Sequence, residues 1–88
     1  MQARELERIF KAFANARRLS ILSYLKRRRS ATVGEIAEHI RLSFKSTSKH
    51  LIILRSAGIL EFDQSSLEMY YRIASKLPPE ARTLLSVA

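Results

Sequence analysis

Apolar residues recur at helical spacing through the first two thirds of the chain and at closer intervals near its end. Leu6, Ile9, Phe10 and Phe13 stand between charged residues, a stripe that predicts an amphipathic helix over residues 3 to 13. Asn15, whose side-chain oxygen can accept from free backbone N–H groups, suits the N-cap of a second helix over about 16 to 28, with Leu19, Ile21, Leu22 and Leu25 inward. That helix runs into Lys26-Arg27-Arg28-Arg29, where cations complement the negative end of the helix dipole. Thr32 and Glu35 have the spacing of a capping box, in which each side chain satisfies the other residue's backbone N–H, and open a third helix with Val33, Ile36, Ala37 and Ile40 inward. Arg41-Leu42-Ser43 interrupts the period. Ser43 can cap a fourth helix over 44 to 57, with Phe44, Thr47, Leu51 and Leu54 on one side and Gly58 as its C-cap residue.

Two capped helices joined by a three-residue turn predict a helix-turn-helix. Beyond Gly58 the pattern suits strands: Ile59, Leu60 and Phe62, then Met69, Tyr70, Tyr71 and Ile73, separated by polar Asp63-Gln64-Ser65-Ser66. Pro78-Pro79 ends the second strand and can open a last helix, with Glu80 in its first turn and Leu84, Leu85 and Val87 along it. The predicted fold is mainly α with a small β-hairpin, a winged helix-turn-helix of order α-α-α-α-β-β-α, in a single domain spanning residues 1–88.

Composition narrows the chemistry. The chain has 88 residues, 16 Lys and Arg against 8 Asp and Glu, and no Cys, so disulfides, thiolate metal sites, Cys nucleophiles and thiol redox sensing are all excluded. A chain of this length buries only about two-thirds of its unfolded surface, which favours support from a second subunit. The amino-terminal residues lack the apolar stretch of a signal peptide, and the run Leu51 to Leu54 is far too short to span a bilayer, so the expected location is cytoplasmic, with no membrane partner. Residues 1 to 29 hold nine basic and two acidic side chains, whereas residues 58 to 88 hold three and four. Such an uneven positive field attracts a polyanion, nucleic acid or anionic lipid alike. A membrane-surface role for residues 17 to 29 is disfavoured, because the core already requires that helix's apolar stripe. No Gly-rich phosphate loop, paired His and nucleophile, or carboxylate cluster is present, which argues against an enzyme. Glu38 and His39 are adjacent and point apart, and Glu35 belongs to the cap, so no metal or other cofactor is expected.

Three blocks carry a resemblance. Phe10-Lys11-Ala12-Phe13-Ala14-Asn15-Ala16-Arg17-Arg18-Leu19-Ser20-Ile21-Leu22 resembles the phrase F-K-A-L-A-D-P-T-R-L-R-I-L of the arsenical-resistance-repressor (ArsR) winged helix-turn-helix regulators. The stretch from Leu42 to Leu60 is similar to that family's L-S-Q-S-T-V-S-R-H-L-K-V-L-R-E-A-G-L-V, and Tyr70-Tyr71-Arg72 to the Y-Y-R that closes its wing. The resemblance covers about residues 6 to 73 in register and implies a transcriptional regulator, most simply a repressor, that binds double-stranded DNA as a homodimer. Metal-sensing members carry a Cys-x-Cys type motif where this chain reads Ala31-Thr32-Val33-Gly34, and others bind zinc through Asp and His of a terminal helix that here holds only Glu80. The implied member therefore lacks both metal sites.

At 100° per residue, Lys45, Ser46 and Lys49 lie on the fourth helix opposite its apolar side. The amino-terminal part of the second helix of such a motif enters the major groove, where Lys donates to guanine and Ser or Thr bonds several base edges. Lys45 and Lys49 are the leading base-edge candidates, with Ser46 and Thr47 beside them. Ser43, Thr32 and Ser30 sit where free N–H groups favour a phosphate, or serve as caps alone. His50 matches a family position near the DNA backbone and either donates to a phosphate or lies against the turn. Arg27, Arg28 and Arg29 precede the third helix within reach of flanking phosphates, and Arg72 is the one basic residue of an otherwise acidic and polar wing. Leu6, Ile9 and Phe10 with Leu84 and Leu85 offer apolar surface on the two helices that build the family's homodimer. The competing reading is a winged-helix protein-interaction module working through Ile52, Ile53 and the polar wing, against which the retained Lys45, Ser46 and Lys49 argue.

Overall fold

A computed structural model describes residues 1–88. Its helices are α1 (Ala3–Phe13), α2 (Ala16–Arg28), α3 (Val33–Ile40), α4 (Phe44–Ser56) and α5 (Pro79–Val87); its strands are β1 (Ser30–Thr32), β2 (Leu60–Ser65) and β3 (Glu68–Ile73). The helices start and stop where local chemistry directs. The Asn15 side chain accepts from the Arg18 N–H at 3.0 Å. Thr32 and Glu35 form the full capping box at α3, and Ser43 accepts from the Ser46 N–H at 3.1 Å to open α4. After α4, the Gly58 N–H donates to the Arg55 carbonyl and the Ile59 N–H to that of Leu54, each at 3.0 Å, with Gly58 at φ 77°. This pair of backward bonds needs a left-handed residue, which is why glycine stands there.

The sheet differs from the expected hairpin. It has three antiparallel strands in the order β1-β3-β2, because Ser30-Ala31-Thr32 pairs with β3 in the register Ala31↔Tyr71 and Thr32↔Tyr70. The element order is thus α-α-β-α-α-β-β-α. Three residues are too few to display an alternating pattern, and the partner that makes Ala31 a strand residue lies far along the chain in β3. The hairpin is also longer than its apolar residues indicate: Asp63, Gln64 and Ser65 are paired strand residues, opposite Tyr70, Met69 and Glu68. The turn is therefore confined to Ser66 and Leu67.

One core draws on every helix and strand. Ile9 and Phe13 of α1, Ile21, Leu22 and Leu25 of α2, Ile36 of α3, Leu51 and Leu54 of α4, Leu60 and Tyr71 of the sheet, and Leu85 of α5 are buried together. Two residues expected inside are not. Leu19 is exposed on α2, where the neighbouring Ile21 and Leu22 take the inward positions, and Phe44, at the first turn of α4, is 63% exposed beyond the edge of the core. No helix is long and apolar enough to cross a membrane.

Candidate nucleic-acid interface

Helix α4 presents two unlike faces. Thr47, Leu51 and Leu54 are fully buried, which fixes the rotation of the helix, while Lys45 and Lys49 are exposed one turn apart and form no ion pair. Ser46 and His50 are half-buried at the flanks, and Ile52, 54% exposed, lies on the same outer arc as the two lysines. Ser43 is exposed at the helix start, its hydroxyl oxygen already accepting from Ser46. Thr47 has to be withdrawn from the contact residues. Its hydroxyl is enclosed and has no hydrogen-bond partner, so no base edge reaches it. The family phrase carries Val at this position, a signal that the site is apolar.

Two arginines that the sequence pattern leaves unassigned shape one flank. Arg18 donates to the carbonyls of Ala12 at 2.8 Å and Lys11 at 2.9 Å, closing the carbonyl end of α1, and lies 3.1 Å from His50 Nδ1. A guanidinium only donates, so Nδ1 accepts and the proton of the neutral ring sits on Nε2. Burial first, then the charges of Arg18 and Arg17, hold the His50 pKa below its ordinary value. His50 thus offers one Nε2–H donor. Arg17 caps α3 by donating to the carbonyls of Ile40 at 3.0 Å and Arg41 at 3.2 Å. The available signal for Arg18 is its match to the arginine of the family's first phrase.

On the other flank several expected phosphate contacts are already engaged. Thr32 is held in its capping box, and Arg28 donates to Glu35 Oε2 at 2.7 Å and to the Tyr24 hydroxyl at 2.9 Å. Backbone N–H of Thr32 and the charge of Arg28 keep the Glu35 pKa low. Arg27 donates to Ser23 Oγ at 3.2 Å, whereas Arg29 is exposed and without a partner, at φ 75°. Ser30 is a half-buried β1 residue opposite Arg72.

Arg72 is corrected as a free wing cation. Its guanidinium is clamped between Asp63, at 2.7 Å, and Glu61, which raise its pKa; Arg72 in turn lowers that of Asp63, while the Ser75 N–H first and then Arg72 lower that of Glu61. Glu61 also accepts from the Ser75 N–H at 3.1 Å, tying the exit of β3 to β2. The otherwise polar wing tip carries one apolar residue: Leu67 is 98% exposed and shares a groove of about 210 Å³ with Val33, Phe44 and Met69.

Of the side chains considered as metal ligands, Glu35 is held in the cap, His39 stacks on Tyr24 with ring centroids 4.1 Å apart, and Glu38 is exposed. No three His, Asp or Glu side chains converge. Among the five residues expected at a subunit interface, Ile9 and Leu85 are buried at 3% and 9% exposure inside the chain's own core and are not free to meet a partner. Phe10 is half exposed, and Leu6 and Leu84 are half-buried. Val87, 82% exposed at the end of α5, was not among the five.

Comparison with known proteins gives a consistent result. The profile of the bacterial regulatory proteins of the arsR family matches residues 15–61, from the cap of α2 into β2. The chain is 35% identical to the transcriptional repressor SdpR of Bacillus subtilis over 68 residues, 77% of this chain and 74% of that one. It is 34% identical to the transcriptional activator HlyU of Vibrio cholerae over 67 residues, 76% of this chain and 61% of that one. Its fold superposes with a TM-score of 0.80 on the homodimeric winged helix-turn-helix DNA-binding domain of a possible ArsR-family regulator from Mycobacterium bovis, at 31% identity, covering 94% of this chain and 73% of the other.

Proposed function

This chain belongs to the arsR family of bacterial regulatory proteins, and from that footing we propose that it is a homodimeric, sequence-specific DNA-binding repressor acting in the cytoplasm. The observation that carries the reading is the outer face of α4. Lys45 and Lys49 are unpaired cations on the amino-terminal half of the second helix of a helix-turn-helix whose opposite face is locked in the core. Lys45, Lys49 and Ser46 contact base edges, while Ser43, His50 through Nε2, and Arg29 hold phosphates. The unit is the whole of residues 1–88, with α1 and α5 as dimer elements, meeting through Phe10, Leu6 and Leu84. No catalytic step belongs to this reading.

Two such helices in a dimer stand about one DNA turn apart, so the preferred site is an inverted repeat with half-site centres roughly 10 bp, or a near multiple, apart. Selection of bound duplexes from random oligonucleotides tests this directly. Enrichment of an inverted repeat, with Lys49→Ala weakening that site by about 1–3 kcal/mol and random DNA by less, supports the reading. Exposed Phe44, Ile52 and Leu67 favour the alternative of a protein-interaction module. No enriched sequence, together with unchanged behaviour of Lys45→Ala and Lys49→Ala, transfers the assignment to it. The named relatives include a repressor and an activator, so the direction of control is decided by transcription from the selected site, with lower output expected when the protein is added.

A further inference from the structure

A second cationic surface adjoins α4 on the side of α1. Arg4, Arg8 and Lys11 repeat along one edge of α1 and, with Arg18 of α2 and Ile53 of α4, line an open groove of about 510 Å³ whose one acidic residue is Glu7. Glu7 lies 3.7 Å from Lys11, with both side chains largely exposed, while Arg4 and Arg8 form no ion pair. Like charges one helical turn apart repel, so the fold gains nothing from this pair. Helix α1 has three distinct edges. Ile9, Ala12 and Phe13 enter the core, Leu6 and Phe10 form an apolar edge, and the cations occupy the edge roughly opposite that one.

The cationic edge is continuous with the proposed DNA surface. Ile53 stands one turn beyond Lys49, and Arg18 joins the groove to His50 at 3.1 Å. Resting on the duplex-binding reading above, we infer that this groove is a phosphate site, in which Arg4 and Arg8 grip the sugar–phosphate backbone beside the stretch of major groove that α4 enters. Charge complementarity selects a polyanion, and the planar guanidinium fork matches phosphate oxygens. Because these arginines lie away from Leu6 and Phe10, pairing of two copies through the apolar edge leaves them open. By contrast Arg27 and Arg28, in the most basic run of the sequence, already donate to Ser23, Tyr24 and Glu35.

The test compares the parent chain with the double variant Arg4→Gln/Arg8→Gln on the duplex enriched by selection and on an unrelated duplex of equal length, across a range of NaCl concentrations. The log–log dependence of affinity on salt should flatten by about 0.9 for each phosphate no longer neutralised, about 1.8 for each protomer and so about 3.6 for the bound dimer. Affinity should fall alike on both duplexes, the dimer mass by sedimentation should not change, and Arg4→Lys/Arg8→Lys should restore the slope. A double variant that binds with the parent's slope overturns the inference alone. So does a loss of affinity that traces to dissociation of the dimer, because the arginines then act between subunits. A parent chain that binds neither duplex overturns the DNA reading itself and this inference with it.

Discussion

A hydroxyl shut away from water without a partner costs roughly 1–3 kcal/mol, and Thr47 carries one on the buried side of the first turn of α4. Valine keeps the side-chain shape and removes the unpaired oxygen. Thr47→Val should therefore raise unfolding stability by about 1 kcal/mol in urea denaturation and leave DNA affinity unchanged; a weakened complex would return Thr47 to the contact surface. His50 supplies a second expectation. Its pKa is lowered in the folded chain by burial and by Arg18 and Arg17, so below about pH 6.5 the unfolded chain takes up the proton first. Stability from this group is complete above that pH and declines as pH falls toward the lower folded value. The lowered carboxylates Glu35, Glu61 and Asp63 add a separate loss only in the acid range, below the ordinary Asp and Glu values. Urea midpoints at closely spaced pH values should show the first decline in the parent and not in His50→Gln.

Helix boundaries were legible in the sequence because the groups that set them are neighbours: Asn15 and Arg18, Thr32 and Glu35, Ser43 and Ser46, and Gly58 beside the residues it caps. Lys45 and Lys49 were legible for the same reason, since their outward position follows from the local period of Leu51 and Leu54. What sequence could not supply were partnerships made across the fold. Strand β1 exists through β3, Arg18 closes α1 and meets α4, and Arg72 is neutralised by residues of the facing strand. Ile9 and Leu85 looked available for a partner because periodicity reports which side of a helix is apolar and not what covers it. The capping box allows a measurement at this scale. Thr32→Ala removes a cap worth about 1 kcal/mol, and the thermal midpoint should fall by several degrees, with Glu35→Gln milder because an amide oxygen still reaches the Thr32 N–H.

With Ile9 and Leu85 committed to the core, the surface left for self-association is small and centres on Phe10, with Leu6, Leu84 and Val87 around it. Association of this kind stabilises by mass action, so dilution of the parent should lower its thermal midpoint. Phe10→Asp should shift the sedimentation profile toward a 10.1 kDa species and abolish that concentration dependence, while keeping its helix content. A parent that is already monomeric at micromolar concentration would remove α1 and α5 as dimer elements. Strand β1 bears on the molecule in another way. Thr32 is at once its last residue, paired with Tyr70 of the wing, and the cap of α3, so wing and helix-turn-helix cannot swing apart without breaking a ladder and a cap together. The two behave as a gauge with a fixed jaw. Laid on a duplex, such a gauge fits without strain only where neighbouring grooves already lie at its spacing, and elsewhere the DNA must bend or twist to meet it, at a cost set by the stiffness of its base steps. The protein would then weigh the pliancy of a stretch of DNA as well as its lettering.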